Sequence, residues 1–211
     1  VSVETIGGDI HLRGGSGFIS ARSIQGGITI ERAQGRIEAH AVNESLHLSE
    51  ISGNVTVGTT NGSIALDRMK AANLEAYTIN GGITYDGAFE NGGSYRITTH
   101  NGLLSLAVPE QANATMMVRT FNGSFHSSFP VRMDNQERRN RFTLTLGAGS
   151  ARVELESFNG AISLRRPGEP PPQSNRDRQR ERNRLRRRGR VSPDFKLVPA
   201  PRPSARDDRE R

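Results

Sequence analysis

One octapeptide phrase recurs along the first 164 residues and limits what the chain can become. It reads Thr or Ser, any residue, usually Asn, Gly, any residue, apolar, any residue, usually apolar. Thr120 to Ser127 turns on Asn122-Gly123, and Ser157 to Leu164 on Asn159-Gly160. Earlier copies turn on Asn101-Gly102, Asn80-Gly81 and Asn61-Gly62. Ser23 to Ile30 and Thr5 to Leu12 carry Gln25-Gly26 and Gly7-Gly8 instead. Each copy reads as a turn and a short strand with one apolar side. In that reading Asn-Gly supplies left-handed backbone to the turn.

Weaker copies between these keep only the strand. Counted from the phrase glycine, equivalent positions fall at 8, 17, 26, 35, 44, 53 and 62, a period of nine. The count continues to 160 with one extra residue before 72 and longer insertions before 93, 114 and 151. Two residues after every such position, from Ile10 to Ile162, stands an apolar side chain. Fixed spacing of this kind marks a solenoid. Full phrases recur at twice the short period, so one coil is two nine-residue halves, and about eight coils fit between Thr5 and Leu164. No single strand buries its apolar side alone, so coils must stack. At ~4.8 Å per coil the rod is roughly 40 Å long. Like residues then form ladders: Ile and Leu within, Asn at one corner, Thr beside it. The prediction is an all-β solenoid with no helix beyond a turn or two.

The coils lengthen from Phe89. Gly93 to Thr99, Leu103 to Val108 and Ala114 to Thr120 read as longer strands. Phe142 to Leu146 alternates in phase with Val153 and Leu155 beyond a Gly-rich turn, so this end is expected to close with longer paired strands that protect the open edge. Phe121, Phe125, Phe129 and Phe158 are expected to fill a wider terminal core.

Composition changes abruptly after Leu164. Pro167 to Pro172 holds four prolines, and Arg176 to Arg190 holds nine arginines with almost nothing apolar. The division is a repeat domain over 1–165 and a disordered Pro/Arg-rich tail over 166–211. Charge divides likewise. Residues 1–164 carry 13 basic and 15 acidic side chains, net −2; residues 165–211 carry 16 and 7, net +9. The candidate anion-binding residues are Arg178, Arg180, Arg182, Arg184, Arg186, Arg187, Arg188 and Arg190. No aromatic interleaves with them, which argues against base stacking and sequence-specific nucleic-acid recognition. The partners they suit are anionic polymer or a lipid surface.

No cysteine is present, so no disulfide and no thiolate metal site can form. The alternation already running at Val1 to Glu4 leads us to expect an upstream segment carrying a signal or membrane anchor.

Nothing in the repeat suggests catalysis. His11, His47 and His126 fall at outward positions, and His11 and His47 are two coils apart, ~10 Å, too far to share a metal. Asp9 stands alone at its repeat position, against a repeating calcium loop. Glu31, Glu38, Glu75, Asp67 and Asp86 are scattered, whereas glycan cleavage needs two carboxylates placed together. No cofactor is expected, and the Asn column reads as structural.

The phrase and its degenerate copies resemble the Toastrack, or adhesin-like, family of bacterial envelope domains. The run from Ser23 to Leu66 is most similar, and Thr120 to Gly123 followed by Ser157 to Leu164 is similar to the family's usual close. The resemblance covers about residues 3 to 165. It implies a single-stranded, right-handed β-helix-like fold, a periplasmic or membrane-associated setting and no catalytic residues. The expected function is a non-enzymatic envelope module for surface or protein contact. A bactofilin-type self-assembling scaffold is the alternative, but Thr-x-Asn-Gly departs from its plainer repeat. A glycan-active β-helix enzyme ranks third.

Overall fold

The computed structural model describes residues 1–138 and 140–172; a compact unit spans Val1–Pro172. Among the described residues every regular element is a strand. The first nine are β1 (Ser2–Gly7), β2 (Ile10–Arg13), β3 (Ser16–Gln25), β4 (Ile28–Glu31), β5 (Gln34–Ala41), β6 (Leu46–Ser49), β7 (Ser52–Thr59), β8 (Ile64–Asn80) and β9 (Ile83–Gly87). Then come β10 (Ser94–Asn101), β11 (Leu104–Ala107), β12 (Ala114–Asn122), β13 (Phe125–Ser127), β14 (Arg132–Arg138), β15 (Arg141–Leu146), β16 (Ala151–Asn159) and β17 (Ile162–Arg165).

Each coil contributes one strand to a long sheet and one to a short sheet, and both sheets are parallel through the repeat. The long sheet runs β1, β3, β5, β7, the second half of β8, β10, β16, β12. The short sheet runs β2, β4, β6, the start of β8, β9, β11, β17, β13. Residues 18 apart pair directly in the early coils, as Ile10 with Ile28 and Ile28 with Leu46. The extra residue before 72 appears as a bulge, where Ala71 faces Gly53 and Asn73 faces Asn54.

The coil count needs correction. Six turns stack in chain order, from β1–β2 to β10–β11, not about eight. Two more layers complete the stack in exchanged order: β16–β17 lies between β10–β11 and β12–β13. The reason is the expected terminal hairpin. β15 pairs antiparallel with the outer edge of β12, and β14 pairs with β15. The chain then crosses the Ala114 end of β12, with Leu146 on one side of that residue and Ala151 on the other.

The core lies between the sheets. The repeat's inward apolar positions are buried except Val3, Leu12 and Phe125, which are partly covered; Phe125 packs edge-on against Phe142. Each buried Ile, Leu or Val contributes roughly 1.5–3 kcal/mol. Where the coils widen, Tyr85, Phe89 and Tyr95 form an aromatic cluster. Burial raises the pKa of both tyrosine hydroxyls, that of Tyr85 the further, and they donate to the Ala88 and Ala71 carbonyls.

Left-handed backbone sits at a different corner from the one expected. It falls at Gly14, Arg32, Glu50 and Arg68, φ 51 to 77°, which follow the short strands in successive layers, and again at Gly17, Gly35 and Gly53, φ 86 to 118°, near the start of the long strands that come next. In the Asn-Gly column only Gly8 is left-handed. Glycine is needed there for close approach instead: a Cβ on Gly102 would stand 1.9 Å from the Gly81 carbonyl oxygen.

Candidate interaction surface

The phrase Thr-x-Asn-Gly places four residues on four different jobs. Its Thr or Ser points inward beside the turn. Thr78 Oγ1 donates to the Gly62 carbonyl and Thr99 Oγ1 to the Gly81 carbonyl, both at 2.9 Å. Thr59 donates to the Glu44 carbonyl at 3.0 Å. These bonds tie three successive turns to the neighbouring layer.

The Asn residues form one amide ladder along the corner. Asn61 donates to Asn43, Asn80 to Asn61, Asn101 to Asn80, Asn159 to Asn101 and Asn122 to Asn159, at 2.9–3.1 Å. Asn43 was missed because Glu44, not Gly, follows it; its distance of 18 residues from both Gln25 and Asn61 identifies it.

The unspecified residue of the phrase points outward, and its column is the main exposed feature. From the first layer it reads Ile6, Ile24, Val42 and Thr60, then Ile79, His100, Phe158 and Phe121. Ile6 is 76% exposed, Phe121 65%, and Ile24, Val42, Ile79 and Phe158 are exposed as well. His100, Phe158 and Phe121 stack with near-parallel rings at 4.6 and 4.8 Å. The expectation that Phe121 and Phe158 fill the core is therefore wrong. They share the outward parity of Ile6 and Ile24, between an inward Thr or Ser and the corner Asn. That parity was the available signal.

Charged side chains lie beside this stripe. Arg22 meets Glu4 at 3.6 Å, Arg119 meets Glu156 at 3.4 Å, Arg96 meets Glu154 at 3.1 Å and Arg36 meets Glu38 at 2.8 Å. Exposed pairs of this kind add little stability. A shallow groove of about 410 Å³ runs between Ile6, Ile24 and Val42 on one side and Glu4, Arg22 and His40 on the other. Burial, and then the Arg22 charge, hold the His40 pKa below its ordinary value, with Glu38 opposing them. The Tyr77 hydroxyl reaches His40 Nδ1 at 3.3 Å by crossing the layer of Gly58, where a Cβ would stand 2.2 Å from the Tyr77 ring.

The polar residues weighed for chemistry stay dispersed. His11 and His47 are separated by Thr29, and His47 lies 3.4 Å from Asp67. Glu31 pairs with Arg13 and Glu38 with Arg36. Among the described residues no group of three or more His, Asp or Glu side chains is placed to hold a metal. The candidate arginines Arg178, Arg180, Arg182, Arg184, Arg186, Arg187, Arg188 and Arg190 lie outside the described residues. Arg166, at the end of the short sheet, bonds Glu110 and the Ser128 carbonyl.

No curated protein and no solved structure gives a significant match to this chain. The family model described as Toastrack DUF4097 matches residues 1–165, the whole of both sheets. On that match, which covers more than three quarters of its length, the chain belongs to the Toastrack family.

Proposed function

We propose that this Toastrack domain is a non-enzymatic, adhesin-like contact module of the bacterial cell envelope, and that the outward stripe of its long sheet is the contact face. The observation that carries this is the stripe itself: one apolar or aromatic column, broken only by Thr60 and His100 and exposed in every layer but that of the half-buried Thr60. Continuous exposed apolar surface of this extent marks an interaction site. The layers behind it are tied by the Asn ladder and the inward hydroxyls, so the face is presented on a rigid frame. The envelope setting goes with the family and its repeat. The Arg-rich tail supplies a second contact, electrostatic and non-specific, with anionic polymer or lipid.

Photo-cross-linking in a bacterial cell producing the chain tests the face. A photoreactive residue replacing Thr60 or Phe158 is expected to give a protein adduct; one replacing Thr29, outward on the short sheet, is not. Absence of adducts from both stripe positions overturns the reading.

A further inference from the structure

The stripe is apolar, but the columns beside it are charged, and their charges have a symmetry. The neighbouring outward column begins Glu4, Arg22 and ends Glu156, Arg119, with Gly58 and Tyr77 at its middle. One column further out, Glu38 stands in the third layer and Arg96 in the sixth. Read from either end, Glu4 matches Arg119, Arg22 matches Glu156 and Glu38 matches Arg96, while Glu75 and Glu154 of the outer column match the uncharged Thr56 and Ser20.

We infer that a second copy of this chain covers the stripe, packed face to face about a two-fold axis parallel to the strands and midway along the eight layers. The inference rests on reading the stripe as a contact face, and it names the partner. Such an axis leaves every column facing itself and turns the first layer onto the eighth, the second onto the seventh and the third onto the sixth. Glu4 then faces the partner's Arg119, Arg22 faces the partner's Glu156, and Glu38 faces the partner's Arg96. Each pair occurs twice, and these columns set no like charges opposite each other. In the stripe, Ile6 meets the partner's Phe121 and Ile24 the partner's Phe158, aliphatic against aromatic.

The charges select this register. Sliding the partner by one layer one way sets Glu4 against the partner's Glu156; one layer the other way sets Arg22 against the partner's Arg119. Like-charge contacts of that kind disfavour the wrong register. The middle of the face stays level, because the Tyr77 ring occupies the space that a side chain at residue 58 would take. The Asn side chains bond in register from layer to layer, and side-chain ladders of this kind oppose the twist that would carry the columns out of alignment. Four adjacent outward columns over eight layers cover roughly 38 by 20 Å, about the 800 Å² per partner of a stable complex.

Sedimentation equilibrium of the full chain, with cross-linking, tests the dimer. The parent is expected to sediment as a dimer at micromolar concentration. Ile24→Glu and Phe121→Glu are expected to sediment as monomers with the parent's far-UV spectrum. The chain has no cysteine, so introduced thiols are unambiguous. Ile24→Cys with Phe158→Cys lie five layers apart within one copy but face each other across the axis. A short thiol cross-linker is expected to convert that variant to a covalent dimer. Ile6→Cys with His100→Cys, two layers out of register across the axis, is expected to stay uncoupled. Equal coupling of the two variants, or a dimer that survives both glutamates, overturns the arrangement. A monomeric parent whose stripe still gives adducts in cells overturns the second copy as partner and leaves the contact face standing; a monomeric parent without adducts overturns both.

Discussion

Thr99 and Thr120 occupy the same inward column and are both buried, yet their hydroxyls differ. Thr99 Oγ1 donates to the Gly81 carbonyl at 2.9 Å, while Thr120 Oγ1 has no partner among the described residues. A made hydrogen bond contributes about 1 kcal/mol net, whereas an unmade buried one costs desolvation without return. Thr99→Val is therefore expected to lower stability by about 1–2 kcal/mol, because it also leaves the Gly81 carbonyl short of a donor. Thr120→Val is expected to be neutral or stabilising. Chemical-denaturation midpoints of the two variants check this; equal losses would mean the hydroxyls act through packing alone. Ser23 resembles Thr120, with a buried hydroxyl and no partner among the described residues. The phrase letter is the same at all these sites, and only the neighbouring layer separates them.

At the scale of elements, the exchanged order of the last layers changes what deletion does. In a solenoid stacked in chain order, removing the final coil shortens the rod and exposes one new face. Here β16–β17 lies between two layers, so its removal leaves β10 and β12 without the strand that pairs with both. The crossing that makes this possible is short and wraps Asn113. Ala148 N donates to Asn113 Oδ1 at 2.9 Å, and Ala151 N donates to the Asn113 carbonyl at 3.0 Å. A chain ending at Leu146 is expected to lose cooperative melting, while one ending at Pro172 melts as the parent does. Thermal denaturation followed by circular dichroism decides; parent-like melting of the shorter chain would contradict the exchanged order.

At the scale of the whole molecule, charge and fold are segregated. The residues that build both sheets are close to neutral, and the +9 of residues 165–211 follows them. The attachment proposed for that charge would be non-specific and screened, with a Debye length of about 10 Å at 0.1 M salt. The full chain is expected to co-sediment with anionic vesicles at low salt and to release at high salt. The chain ending at Pro172 is expected to remain in the supernatant at both. Equal binding by the two chains, or binding indifferent to salt, excludes the tail as the attachment element. The version ends at Pro172 because Arg165 and Arg166 bond back to Ser105, Glu110 and Ser128.

The sequence by itself determined the period, the all-β class, the inward positions and the hairpin at the far end. Each of these follows from local alternation repeated at fixed spacing, and neighbouring layers reinforce it because like residues meet like. Ile28 between Ile10 and Leu46 is legible in that way. Three things waited for the tertiary structure. Glycine at residues such as Gly102 is explained by a carbonyl from another layer, not by its own φ. Phe121 and Phe158 look like core residues by composition, but their parity matters only once the direction of the Thr beside them is known. The place of β16–β17 was invisible because a parallel strand pairs equally well with any in-phase neighbour. The periodic pattern specifies register within a layer, but the order of layers depends on the connection that crosses β12, a long-range feature that no local spacing encodes.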